Sequence, residues 1–274
     1  MDMSKKPFPD YEKPPVVEVV SGIQFKPINK LAGPYLGMLW EKFKTSYPVI
    51  KEAAPLMPAI ESFDDAPRRE MASFPDLFGL TRTWFETNDG NGLIQIQRDR
   101  FLHNWKKEKE SDKYPHYEHV IGKFRYSLEI FEKFLKEADM DTLEPTQFEI
   151  TYINHIFKGE GWESLHDLGT VFRDFVRDKN QNRFLPAPEN FNWQTSFLFP
   201  ERSGRLHVST RLGARRTDGV PAILVELTAR GITSDKSLSS MWSWFDMAHR
   251  WIVYGFSDLT ADTIQKNVWR RKDA

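Results

Sequence analysis

Three separated segments switch strictly between two kinds of side chain, and that alternation constrains the fold more than anything else in the chain. Gln147, Glu149 and Thr151 interleave with Phe148, Ile150 and Tyr152. Arg205, His207, Ser209 and Arg211 interleave with Leu206, Val208, Thr210 and Leu212, while Gln95 and Gln97 interleave with Ile94 and Ile96. Successive side chains on a strand point to opposite faces, so a period of two means one face to be covered and one polar face. The fold class expected is α+β: antiparallel sheet, with helices packed on the apolar face.

The remaining elements can be placed around those strands. Val16 to Phe25 is β-branched and reads as a strand. Leu36, Leu39, Trp40 and Phe43 make a helical stripe between about residues 31 and 47, ended by Pro48. A short strand is expected near Ala59 to Phe63. Leu80 to Thr87, the turn Asn88-Asp89-Gly90-Asn91-Gly92, and Leu93 to Arg100 spell a β-hairpin, since Asn and Gly tolerate positive φ in such turns. Tyr117, Val120, Ile121, Phe124, Leu128, Phe131 and Leu135 recur at helical period. The second half repeats that order. It offers a strand at 147–157, a helix at 162–177, strands at 191–199, 205–213 and 222–230, and a long helix from Leu238 to Phe256. Thr260 is placed to cap a last short helix ending near Trp269. Both halves can be written β-α-β-β-β-α, so the chain divides into a loose lead-in at 1–14, a first half at 15–140 and a second at 141–274, packed as one unit. The duplication rests on element order, because the halves share no convincing residue identity.

Composition narrows the function classes. The 274 residues can bury a core without staples, and 40% hydrophobic and 28% charged content is that of a globular chain. There is no cysteine, which removes disulfides and thiolate metal sites and fits a reducing compartment. The first residues lack the apolar core of a signal peptide, and no window approaches the roughly 18 apolar residues that span a bilayer, so a cytoplasmic protein without membrane contact is expected. A net charge of −1 gives no global field for duplex DNA.

The polar face reads either as a solvated surface or as a groove in which Gln95, Gln97, Glu149, Arg205, His207 and Arg211 hold a ligand, with Arg215 and Arg216 near one end. Arg98, Arg100 and Trp105 combine charge with an aromatic ring, as single-strand nucleic-acid binders do, although Glu108 and Glu110 dilute the field. His155, between Asn154 and Ile156, reads as a structural histidine or an acid–base group. His116 with His119, and Asp246 with His249, have helical i, i+3 spacing, but two ligands do not make a metal site, and neither metal nor cofactor is expected. Trp242 lies on the stripe of the late helix, while Trp244 and Trp251 fall off it and need a second surface, within the chain or on a partner. No GxSxG, P-loop, GxGxxG or HExxH pattern occurs.

Four segments taken together, PPVVEVVSGIQF, NDGNGLIQIQRDRFLHNW, TQFEITYINHI and WFDMAHRWIVYGFSDLT, resemble a sporadically distributed bacterial family of conserved hypothetical proteins over about residues 15–270. The family has no established activity, so the resemblance implies a bacterial origin and assigns no catalytic residue. The function expected is non-catalytic binding, as an adaptor or immunity-like component whose partner is another protein or a second copy. The alternatives are a hydrolase or nuclease using Glu149, His155 or His207, and a single-stranded nucleic-acid binder.

Overall fold

Alternation in the sequence becomes a single large sheet. The computed structural model describes residues 7–57, 59–63, 82–175, 184–186, 188–235 and 237–272. In chain order its elements are β1 (Val16–Phe25), α1 (Gly33–Phe43), β2 (Val49–Ala53), β3 (Arg82–Glu86), β4 (Gly92–Gln97), β5 (Arg100–Lys106), α2 (His116–Glu137), β6 (Pro145–Phe157), α3 (Leu168–Val171), β7 (Asn192–Leu198), β8 (Gly204–Ala214), β9 (Pro221–Gly231), α4 (Leu238–Leu259) and α5 (Asp262–Asn267). Among the described residues the nine strands form one sheet in the order β2-β3-β4-β5-β1-β6-β9-β8-β7, and each neighbouring pair is antiparallel. The chain is therefore mixed helix and strand around an antiparallel sheet, with β1 and β6 paired at its middle.

Side-chain parity sets the two faces. On one of them Val19, Ile23, Phe101, Phe148, Ile150, Leu206 and Leu227 are buried. Phe101 stacks on Phe131 of α2 with centroids 4.8 Å apart, and Phe148 packs on Trp244 and Phe245 of α4. Met241, Phe245, Ala248 and Ile252 recur at three- and four-residue spacing and lie fully inside. A buried ring of this size adds roughly 1.5–3 kcal/mol by leaving water, which explains why Phe can carry so much of this core.

Several expectations need correction. Residues 59–63 are not a strand. The sheet takes Val49–Ala53 instead, where Lys51 pairs with Glu86 of the neighbouring strand. Pro55 and Pro58 both precede the expected segment, and proline supplies no donor to a ladder. The run from Leu93 continues past a tight turn at Arg98-Asp99 into a further strand, β5, so four strands rather than three follow α1. Of the helix expected over 162–177, the described part, to residue 175, holds a 3-10 turn capped by Ser164 and the single turn of α3, and residues 176 and 177 lie outside the described residues. Phe172 turns extended to bridge Thr260, and the Arg173 amide donates to Leu259. Thr260 does not cap α5. Its hydroxyl donates back to Phe256, closing α4, and Ala261 holds the N-cap position.

Residues 10–13 pair with the far end of the chain. The amides of Glu12 and Lys13 donate to Arg270 and Trp269, and the Lys272 amide donates to Asp10. No helix among the described residues is long and apolar enough to cross a membrane.

Candidate functional site

Part of the polar face of the sheet is crossed by the chain itself. Residues 54–57 and 59–63, which form no regular element, run across the strands rather than along them. Side chains from five strands hold this strap. On β4, Gln97 accepts from the Leu56 amide at 2.9 Å and donates to the Leu56 carbonyl at 3.1 Å. On β5, Arg100 donates to the Met57 carbonyl at 3.1 Å. Gln24 of β1 and Gln147 of β6 both donate to the Ala59 carbonyl, and Gln147 also accepts from the Glu61 amide at 2.7 Å. On β8, Arg205 donates to the Glu61 carboxylate and to the Ser62 carbonyl, each at 2.8 Å, while His207 Nε2 closes on the other Glu61 oxygen. Beyond β8, Arg202 reaches the Phe63 carbonyl at 3.0 Å, and the Arg205 guanidinium lies over the Phe63 ring.

These contacts require an extended strap. Five strand spacings separate β4 from β8, roughly 24 Å, whereas five extended residues span about 17 Å. The long side chains of Gln97 and Arg205 make up the difference. Gln24, Gln97, Arg100 and Gln147 are buried as a result, each with its polar head on a main-chain group or a neighbouring side chain. Amide and guanidinium heads fixed on strands can match the donors and acceptors of a passing backbone whatever its side chains are. Glu61, by Arg205 and His207, and Phe63, by Arg205, are contacted through their side chains. Burial by itself would raise the Glu61 carboxyl, but the bonds from His207 and Arg205 outweigh that and hold it below the usual carboxylate range.

Beside the strap the face makes its own pairs. Arg230 donates to Glu149, Thr151 and Thr228 share a bond at 2.9 Å, and Gln95 links Arg82 to Asn104, which in turn donates to Glu18. Burial raises the Glu18 carboxyl, against the opposing pull of Asn104 and Lys106.

Of the residues singled out from the sequence, Gln95, Gln97, Arg100, Glu149, His155, Arg205, His207 and Arg211 share the polar face, by strand parity and register. The others lie elsewhere. Arg98 sits in the turn between β4 and β5. Trp105 is five residues from Arg100 and projects to the opposite face, where it packs edge-on against Tyr114 at 5.4 Å, so Arg100 and Trp105 do not form one surface. Trp244 is buried and donates from its indole to the Ser203 carbonyl at 3.0 Å. Trp251 packs on Phe199 at 4.7 Å. Glu149 and His155 are six residues apart along β6, roughly 20 Å, and His207 is engaged by Glu61. Burial, with the nearby Arg211 charge, lowers His155. Asp246 accepts from Tyr117 and His249 shares a bond with Tyr152. Among the described residues no three metal-ligating side chains converge.

The sequence reading missed Gln24, Arg202 and Glu61. Gln24 had a signal: a lone amide at the end of an otherwise apolar strand, in phase with Glu18. Glu61 had none, because nothing in a coil segment announces that it will cross a sheet. Comparison with known proteins adds no identity, since no family model and no curated protein matches the chain.

Proposed function

We propose that the protein is a non-catalytic binding protein of a bacterial cytoplasm, an adaptor or immunity-like component that holds an extended polypeptide on the polar face of its sheet. The observation that carries this reading is the set of side chains committed to the backbone of residues 56–62. A face that only had to be soluble would need no such arrangement of buried amides and guanidinium groups. The strap then stands as a ligand in cis, and a partner segment displaces it. The preferred partner backbone is extended, with an acidic side chain where Glu61 meets Arg205 and His207.

The architecture that belongs to this proposal is two tandem halves with helices on the face away from the strap. Its support is the strand order. From the centre outward, β1-β5-β4-β3 is matched by β6-β9-β8-β7, α2 and α4 close the two halves, and the break falls near residue 140.

The test is fluorescence anisotropy of a labelled peptide with the sequence of residues 54–63, titrated with the full chain. Glu61→Ala loosens the strap in cis and is expected to raise the peptide's affinity about tenfold or more, because a fractionally open site discounts the affinity of any competitor. Adding Arg205→Ala and His207→Ala to that variant is expected to abolish binding. Failure of the peptide to bind the Glu61→Ala protein, or equal binding after both groups are removed, refutes the proposal.

A further inference from the structure

A second site lies away from the strap, on the side of the sheet that faces the helices. A cavity of about 290 Å³ is bounded by the N-terminal segment, the start of α2, β6 and α4. That is the small end of ligand-sized pockets. Its lining combines rings, among them Phe8, Tyr11, Tyr114, Tyr117, Tyr152 and His249, with aliphatic side chains such as Val16, Leu227 and Ile252.

The rings form a corner rather than a flat patch. Tyr114 and Tyr152 meet at 72° with centroids 6.2 Å apart. His249 stacks on Tyr117 at 4.0 Å with their planes 2° apart, and Phe8 closes on His249 at 5.4 Å. The polar tips are spent on one another: Tyr114 with Tyr152 at 2.9 Å, Tyr152 with His249 Nδ1 at 3.0 Å, and Tyr117 donating to Asp246 at 2.8 Å. The π faces of such rings carry a negative quadrupole that attracts cations.

Apart from the imidazoles of His116 and His249, the charged groups of the lining have one sign. The carboxylates that line the cavity are Asp10 and Glu118, and no lysine or arginine lines it. Asp10 is ion-paired with Lys272 at 2.9 Å, so Glu118, in the first turn of α2, is the carboxylate placed to meet a cation. Arg250 stacks on Phe8 and Tyr254 instead of lining the space. Burial holds His249 well below its ordinary value, to about 3, so it adds no positive charge at neutral pH. Burial likewise pushes the Tyr114, Tyr117 and Tyr152 phenols up, so they stay neutral and cannot act as phenolates.

We infer that this cavity binds a substituted ammonium ion, held by the rings of Tyr114 and Tyr152 and by the carboxylate of Glu118. A phosphate or carboxylate ligand would meet no lysine or arginine in the lining, and a purely apolar ligand would leave Glu118 without a use. The inference does not depend on the strap.

The experiment is calorimetric titration of the full chain with two probes of one shape: choline, and 3,3-dimethylbutan-1-ol, in which carbon replaces the charged nitrogen. Choline is expected to bind at least about tenfold more tightly than the alcohol, the size of a desolvated cation–π contact. Glu118→Gln, an exposed change that leaves the core intact, is expected to weaken choline several-fold and leave the alcohol unaffected. Tyr152→Phe keeps the ring and should retain choline, whereas Tyr152→Leu should lose it. Equal affinity for the two probes, no choline binding at about 50 mM, or an unchanged choline affinity in Glu118→Gln overturns the inference.

Discussion

Replacing Glu61 with alanine isolates the strap from the rest of the fold. The Glu61 carboxylate accepts from Arg205 and from His207 and is nearly enclosed, with 9% of the side chain exposed. Hydrogen bonds to a charged group are each worth about 1.5–3 kcal/mol net. Arg205 and His207 keep 26% and 22% of their side-chain surface, so water can resolvate both, and Arg205 retains the Ser62 carbonyl. A net cost of about 2 kcal/mol to strap docking follows, or roughly thirtyfold more opening, since 1.4 kcal/mol is a factor of ten. The natural reporters are the amides of Leu56 and Glu61, which donate to Gln97 and Gln147 instead of to a ladder. Their hydrogen exchange should quicken about thirtyfold while the Ile150 and Leu227 amides in the central strands stay unchanged. Unchanged exchange at Leu56 and Glu61 would mean the carboxylate does not hold the strap. Equal acceleration across the sheet would mean that strap and sheet open as one unit, and either result refutes the reasoning.

Because the Glu61 carboxyl sits below its ordinary value of 4.5, its contribution to docking is complete above that value. It is lost as pH falls through the lower value in the docked state, so the amide chemical shifts of Leu56, Met57, Ala59, Ile60 and Glu61 should move together only below about pH 4.5. His103 and His249 are both held near 3 by burial, against an ordinary 6.5, and the Tyr47 hydroxyl bonds to His103 Nε2. Unfolding lets each take up a proton, so this part of the stability is whole above pH 6.5 and drains between 6.5 and 3. The two together give at most about 2.7 kcal/mol per pH unit, and His103→Gln should remove about half of that slope in urea titrations at several pH values. Gln265, fully buried, donates to the Ser257 and Thr260 carbonyls and accepts from Tyr11 and Arg271. Gln265→Ala should therefore cost about 3 kcal/mol by urea denaturation and speed exchange at the Glu12 and Lys13 amides, and a cost under about 1 kcal/mol would show that water replaces the amide.

What could be read in advance followed from local rules. The bounds of β1 coincide with its β-branched run, and the interleaving of Gln147, Glu149 and Thr151 with Phe148, Ile150 and Tyr152 gave the face of each side chain directly. β5 was hidden because the turn before it, Arg98-Asp99, contains neither glycine nor asparagine, so two strands read as one. The same merger put Trp105 in company with Arg100, from which it is separated by the thickness of the sheet. Residues 59–63 looked like a strand because isolated apolar residues there suit one. Their actual partners, Gln24, Gln147, Arg205 and His207, are 35 to 146 residues away in the chain, and local pattern carries no trace of such distances. The buried state of Gln97, Arg100 and Gln147 was illegible for the same reason: their residue types say water, and the strap contacts each of them. The aromatic cavity depends on four elements meeting, which no single segment announces.

The pairing of β1 with both β5 and β6 has a consequence for how the chain is made. One edge of β1 is satisfied once residues 100–106 have emerged, but the other waits for residues 145–157. About fifty residues of further synthesis separate the two events, a delay of several seconds at roughly 5–20 residues per second. Through that interval the nascent first half shows an open strand edge with the apolar side chains of Val19 and Ile23 beside it, a template for any other unpaired strand nearby. The middle of the finished sheet is thus the last part of β1 to be protected, and crowding of nascent chains should be hardest on this protein at that moment.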